Sequence, residues 1–268
     1  MPGSTREAPG PDPVAEVPAS LDNGQATPTP GDDPMSTTTD RAAPTALPPL
    51  VDGERLDRAT FHERYEAMPD NTRAELIGGI VSMIPALGME HGSADGFAIY
   101  WLNHYAGYTP GVQCFVNTSV FFEDYGEHQP DCVLRIRPEC GGKTRDQKPY
   151  YAGGPELVVE TSHSSLAKDV GPKLADYERA EVLEYLVVSS QPPMVRWHVL
   201  KEGRLVIIPP DADGLHRSAV YPGLWLDPAA LLAGNIPRLR ETVDRGVATP
   251  EHAEFVAKLA RVGGLGEG

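Results

Sequence analysis

Apolar and polar positions recur along this chain with two periods, and each change of period marks an element. In 56–69, "LDRATFHERYEAMP", Leu56, Phe61, Tyr65 and Met68 follow helical spacing and Pro69 ends the run. Residues 74–85, "AELIGGIVSMIP", read as two short strands around Gly78-Gly79, a tight hairpin. A helix over 90–108 places Phe97, Trp101, Leu102 and Tyr105 on one side, with Gly107 as its stop. Residues 112–123 read as one strand. Residues 129–138 read as a half-buried strand, with Cys132, Leu134 and Ile136 opposite Val133, Arg135 and Arg137. The polar stretch 140–154 reads as a loop.

The pattern then sharpens. A short apolar strand over 156–161 is followed by a helix over 169–180, with Asp169 as cap and Pro172 in the first turn. A buried strand follows over 182–190, and a hairpin over 194–210 turns at Glu202-Gly203. Residues 221–234 lead into a helix with Asp227 as cap and Pro228 at its first position. Beyond about Asn235 one short helix is expected, at 250–261. The strand–helix–strand order across 156–190 has the form of a crossover between two parallel strands. The whole predicts an α/β (α+β) domain: a mixed, mostly antiparallel sheet with helices packed on it and no internal repeat.

Composition changes this picture at the ends. Residues 1–50 hold eleven prolines, no aromatic residue, and seven acids against two bases. Such a segment buries too little apolar surface to offset chain entropy, and reads as a disordered acidic tail. It lacks the basic start and apolar core of a secretory signal, and Met35 is a candidate start. The folded domain is therefore expected over 51–235, with 236–268 as a C-terminal extension.

Of the net charge of −15, the tail carries −5, so the rest remains near −10. That excludes a general nucleic-acid coat protein, which needs a basic footprint, but not an enzyme with a local basic groove and a metal ion. No run reaches the roughly 18–20 apolar residues of a membrane span. Cys114, Cys132 and Cys140 have no metal-binding spacing and suggest space-filling thiols in a reducing cytoplasm.

The candidate chemistry lies in "PELVVETSHSSLAKDVGPKLADYERAEVLEYLVV", 155–188, and in "PD", Pro130-Asp131. Asp131 heads one strand and Glu160 ends another. Neighbouring strands of this kind aim two carboxylates at one point, and a divalent cation resolves their repulsion. Magnesium keeps several waters, so two or three protein carboxylates suffice. Lys173 lies four residues after Asp169 and four before Tyr177, all on one helix face. Its amine is placed to stabilise charge on a phosphate.

The blocks "AELIGGIVSMIP…H" (74–91), "PDCVL" (130–134), "PELVVETSHSS…D…K…Y…EVLEYLVV" (155–188) and "YPGLWLDPAALL" (221–232) resemble the Uma-two family of the PD-(D/E)XK nuclease superfamily. The resemblance covers roughly residues 55–235, with the blocks in the family's order. It implies a restriction-endonuclease-like mixed sheet flanked by helices, and cleavage of DNA phosphodiesters dependent on Mg²⁺ or Mn²⁺. On that resemblance Asp131 and Glu160 are the paired acids. Glu75 matches the glutamate of the "ELIDG" block as a third carboxylate, although Gly-Gly stands here where Asp-Gly is usual. The lysine expected two residues after Glu160 is replaced by Ser162, so Lys173 is expected to supply the amine. His163 stands where a proline is customary, and His91 matches a family histidine placed to contact phosphate or metal, or to cap its helix.

Plainer roles stand beside these. Asp131 suits a turn, Glu160 a salt bridge to Lys168 or Lys173, and Tyr177 a packing role with its hydroxyl tied down. Asp169 suits a cap. The bases of 137–148 (Arg137, Lys143, Arg145, Lys148) face DNA or solvent. "GGKT", 141–144, lacks the upstream glycine of a phosphate-binding loop. The rival readings are a nuclease fold without activity, kept for interaction or regulation, and a hydrolase using Ser162, His163 and Ser164. The latter lacks a nucleophile elbow. Cutting both strands of DNA commonly needs two copies, which makes a homodimer an expectation.

Overall fold

A computed structural model of the protein describes residues 47–85, 89–162 and 165–264, with the backbone alone at 89–92. The expected tail therefore lies outside the described residues except for 47–50, where Leu50 is buried against the domain.

Helix α1 (Arg58–Glu66) starts at Asp57, whose side chain accepts from the Thr60 amide. The hairpin β1 (Ala74–Ile77) and β2 (Ile80–Met83) turns at Gly78 and Gly79, both with positive φ, as a tight primed turn demands. Helix α2 (Met89–Gly107) carries Trp101, Leu102 and Tyr105 into the core.

The expected single strand over 112–123 is two, β3 (Val112–Val116) and β4 (Val120–Phe122), in different sheets. Asn117 between them has a φ of 49°, which breaks the extended backbone. Strands β5 (Gly126–His128) and β6 (Cys132–Ile136) follow. The expected loop over 140–154 contains a hairpin, β7 (Arg145–Gln147) and β8 (Tyr150–Ala152). β7 is an exposed edge strand, so it has no apolar alternation to read.

Strand β9 (Leu157–Ser162) is followed by α3 (Leu166–Asp169), α4 (Pro172–Arg179) and β10 (Glu184–Ser190). β9 and β10 pair in parallel, as the crossover pattern predicts. The expected helix over 169–180 is broken at Gly171. Pro172 supplies no amide and disfavours helical backbone in the residue before it. Asp169 thus ends α3 instead of capping α4, whose cap is Gly171.

Strands β11 (Pro193–Lys201) and β12 (Arg204–Ile208) form the expected hairpin, and β13 (His216–Arg217) pairs with β14 (Trp225–Leu226). Helix α5 (Pro228–Leu232) is capped by Asp227 as expected. The C-terminal part holds two helices instead of one short one. They are α6 (Ile236–Val247), capped by Asn235, and α7 (Pro250–Gly263), capped by Thr249.

One mostly antiparallel sheet was expected; among the described residues there are two six-stranded sheets beside the β13–β14 pair. The first runs β12-β11-β10-β9-β6-β3 and the second β2-β1-β5-β4-β8-β7, each with one parallel pair. On one face of the first sheet, Leu134, Val159, Leu186 and Trp197 pack against α2, α5 and α6. On the other, Val133, Val158 and Val187 meet Tyr177 of α4 and Val120, Phe122 and Tyr151 of the second sheet. β6 is therefore covered on both faces and not half-exposed; even Arg135 is buried. The three cysteines are free thiols, two of them buried. Among the described residues no helix is long and apolar enough to cross a membrane.

Candidate active site

β9 lies between β10 and β6, so all six of its residues are buried, including Glu160, Thr161 and Ser162. A carboxylate in that position needs partners. Lys173 Nζ, at 3.0 Å, and the Tyr177 hydroxyl, at 2.6 Å, both donate to Glu160 Oε1. They stand one turn apart on α4, which the crossover lays against this face of the sheet.

The same ammonium lies 3.0 Å from Oε1 of Glu75 on β1, so one lysine bridges carboxylates from the two sheets. Glu75 also accepts the Gln129 amide at 2.8 Å. The hold on α4 is specific. Asp176, one turn beyond Lys173, accepts the amide of Gly78 at 2.7 Å and lies 2.9 Å from Nε2 of buried His128. The β1–β2 turn thereby fixes the helix that presents Lys173.

Asp131 immediately precedes β6. The last rung between β6 and β9 pairs Cys132 with Val159, so Asp131 stands one step further out, opposite Glu160. Its Oδ2 accepts the Thr161 amide at 2.7 Å and the Thr161 hydroxyl at 2.9 Å. That hydroxyl also contacts Asp95 of α2. A hydroxyl has one proton to donate, so it cannot satisfy both carboxylates at once. Asp169 completes the acidic wall and accepts from the Ser162 and Ser165 hydroxyls.

These acids crowd a poorly solvated space. Burial pushes the Glu160 carboxyl well above the usual range, and the charges of Asp131, Asp169 and Glu75 add to the rise; the Lys173 ammonium opposes it. Burial likewise raises Asp169, against Lys173 and its two serine donors. For Lys173, burial favours the neutral amine, but Glu160, Glu75, Asp169 and Asp131 outweigh it and hold the group as an ammonium. Burial keeps the Tyr177 phenol protonated, so it remains a donor to Glu160.

Glu75, Asp131, Glu160, Asp169 and Lys173 line one cavity of about 110 Å³, with Arg73 and Lys168 among its other walls. That space has room for an ion with its waters. Among the described residues, no three histidine, cysteine or acidic side chains are set to hold one metal ion. Glu75 and Glu160 both face Lys173, Glu75 also accepts the Gln129 amide, and Asp169 accepts from two serines. Asp131 and Glu160 remain as a two-carboxylate set. As hard oxygen donors, these two carboxylates fit Mg²⁺ or Mn²⁺ that keeps its waters.

The fold thus brings together Asp131, Glu160, Glu75, Lys173, Tyr177 and Asp169. His91 lies on α2, but its side chain is outside the described residues, as are His163 and Ser164. Ser162 donates to Asp169. The salt bridge weighed for Glu160 exists, to Lys173, while Lys168 donates to the Ser82 hydroxyl at 2.8 Å. Asp95, Arg73 and the His128–Asp176 contact were not anticipated. The one available signal for Asp95 was its place a helical turn after His91.

The model of a family described as "Uma2: Putative restriction endonuclease" matches residues 60–229. A crystal structure described as "a putative nuclease belonging to DUF820 from Anabaena variabilis ATCC 29413" is similar to this chain with a TM-score of 0.50. The match has 13% identity and covers 64% of this chain and 96% of that one. At that identity the likeness concerns the fold. No curated protein matches the chain.

Proposed function

We propose that this chain, which belongs to the Uma2 family, is a metal-dependent endonuclease hydrolysing DNA phosphodiester bonds. The observation that carries the reading is the meeting of Asp131, Glu160 and Lys173 in one small acidic cavity. Asp131 and Glu160 would hold Mg²⁺ or Mn²⁺, with Glu75 the third carboxylate of the cluster. A bound ion supplies a water of lowered pKa and shields charge developing on the phosphate.

The chain's own groups do the rest. Lys173, held as an ammonium between Glu75 and Glu160, offers positive charge to the phosphoryl oxygens at the mouth. Tyr177 fixes the orientation of Glu160. Thr161 fixes that of Asp131 with two bonds to the same oxygen.

One observation favours a second reading. Glu160 is only 3% exposed and ion-paired, as in a nuclease fold kept for interaction or regulation without activity. Plasmid cleavage in Mg²⁺ or Mn²⁺ separates the two, run beside calorimetric metal titration of wild type, Asp131→Ala and Glu160→Ala. The nuclease reading expects cutting and metal uptake by wild type and loss of both in each variant. A wild type that neither cuts nor takes up metal leaves the second reading standing.

A further inference from the structure

A chain of net charge −15 has to find positive charge for a polyanion somewhere. The edge pair β3–β6 supplies a path. Its rungs join Gln113 to Arg135 and Phe115 to Val133, and these positions alternate onto the face that carries Asp131. Arg135 is four residues along the chain from Asp131, about 13 Å at strand rise.

Arg135 is fully committed. It donates to Asp146 at 2.7 Å and to Gln113 at 2.8 Å, and its guanidinium lies 4.6 Å from the Phe115 ring centre. It forms the floor of a second cleft, of about 460 Å³, which also includes Thr118, Arg137 and Lys148, with the acids Glu139 and Asp146 paired to Arg137 and Arg135.

The rim cations are held less firmly. Lys148 is exposed and has no ion-pair partner among the described residues. Arg137 has a buried Nε without a hydrogen-bond partner, and its one ion pair, to Glu139 at 3.7 Å, is exposed to solvent. At the other end, Thr118 follows Asn117, whose side chain accepts from Arg73 at 2.8 Å. Arg73 in turn lines the acidic cavity and has no carboxylate partner among the described residues. Arg73 on the wall of the acidic cavity and Thr118 on the wall of the cleft are thus linked through Asn117, although the Thr118 hydroxyl is itself donated to the Val116 carbonyl.

We infer that the cleft of Arg137 and Lys148 is a binding site for nucleic-acid backbone phosphates, reached from the acidic cavity past Arg73. Its placement relative to the cut rests on the nuclease reading. Arg137 is six residues from Asp131, about 20 Å at strand rise, so at about 3.4 Å of rise per base pair the cleft takes phosphates about four to six nucleotides from the scissile one.

The test is fluorescence anisotropy of a labelled duplex of about 20 base pairs in metal-free buffer across a salt series. It compares wild type, Arg137→Ala/Lys148→Ala, and a charge-matched control, Lys258→Ala/Arg261→Ala, on exposed positions of α7. Thermal melts verify that each is folded. The cleft variant is expected to bind roughly tenfold more weakly, and its log–log salt slope to fall by about 2. The control is expected to stay within about twofold of wild type. Equal affinities for cleft variant and wild type overturn the inference, as does an equal loss in the control or a wild type that binds no duplex. Cleft-dependent binding by a wild type that never cuts sinks the nuclease reading and leaves the site. Cutting with cleft-independent affinity sinks the site alone.

Discussion

Lys173 of α4 holds its ammonium 3.0 Å from Glu160 Oε1 on β9, thirteen residues back along the chain. Both side chains are buried, and the same nitrogen reaches Glu75. Removing one member of such a set strands the others, at about 3–5 kcal/mol. Lys173→Met is therefore expected to lower stability by that amount in urea denaturation. Glu160→Gln added to it is expected to recover at least about 1 kcal/mol, because it removes a stranded charge. A single variant as stable as wild type would mean that the pair is solvated.

Thr161 has a different task. Its hydroxyl holds Asp131 and touches Asp95, while its amide also bonds Asp131. Thr161→Val keeps the shape and the amide. It is expected to weaken Mn²⁺ affinity about 10–100-fold, as loss of an outer-shell partner does. Calorimetric titration reads this directly, and unchanged affinity would make the hydroxyl incidental.

Glu184 opens β10 fully buried, where burial lifts its carboxyl to about 7. The bonds it accepts from Ser218 and the Ala219 amide pull the other way. The folded pKa thus lies above the unfolded value of about 4.3. The native state binds this proton more tightly, so its contribution is fully present below the unfolded value and is lost as pH rises through about 7. Glu184→Gln removes the titration. It is expected to gain on wild type between about pH 5 and pH 8, by up to about 3 kcal/mol. Thermal unfolding at the two pH values decides; parallel curves for the two proteins would refute the assignment.

The C-terminal helices carry their own expectation. Leu239 and Val243 of α6 are fully buried in the main core with Trp101 and Leu134. Leu239→Ala is expected to cost about 2–5 kcal/mol, the ordinary penalty of a core cavity. A cost under about 1 kcal/mol in denaturant melts would show that α6 is a detachable extension.

Elements with strong local signals were legible in the chain itself. The glycines of the Gly78-Gly79 and Glu202-Gly203 turns have the positive φ that glycine accepts without strain, while Glu202 adopts it too, at 51°. Asp227-Pro228 starts a helix, and the apolar runs 157–159 and 185–188 form the parallel pair. These features rest on backbone preference and side-chain period, which act over a few residues. Acidic residues at strand ends were visible for the same reason, since a carboxylate closing an apolar run is locally anomalous. The family resemblance then pointed to Asp131, Glu160 and Glu75 as one set.

What the tertiary structure decided were the properties that need distant partners. β7 and the split between β3 and β4 exist because a second sheet exists, and no period marks them. α6 is buried by contact with α2, which lies far back in the chain. Lys173 lies between Glu160 and Glu75 because Asp176 ties α4 to the Gly78 amide. Asp95 meets Asp131 through Thr161 because α2 crosses the end of β9. Local sequence specifies which side chains are available and which face of an element they occupy. Close approach of charges from separate elements requires that those elements be packed, since only burial makes unpaired charge expensive enough to fix its partners.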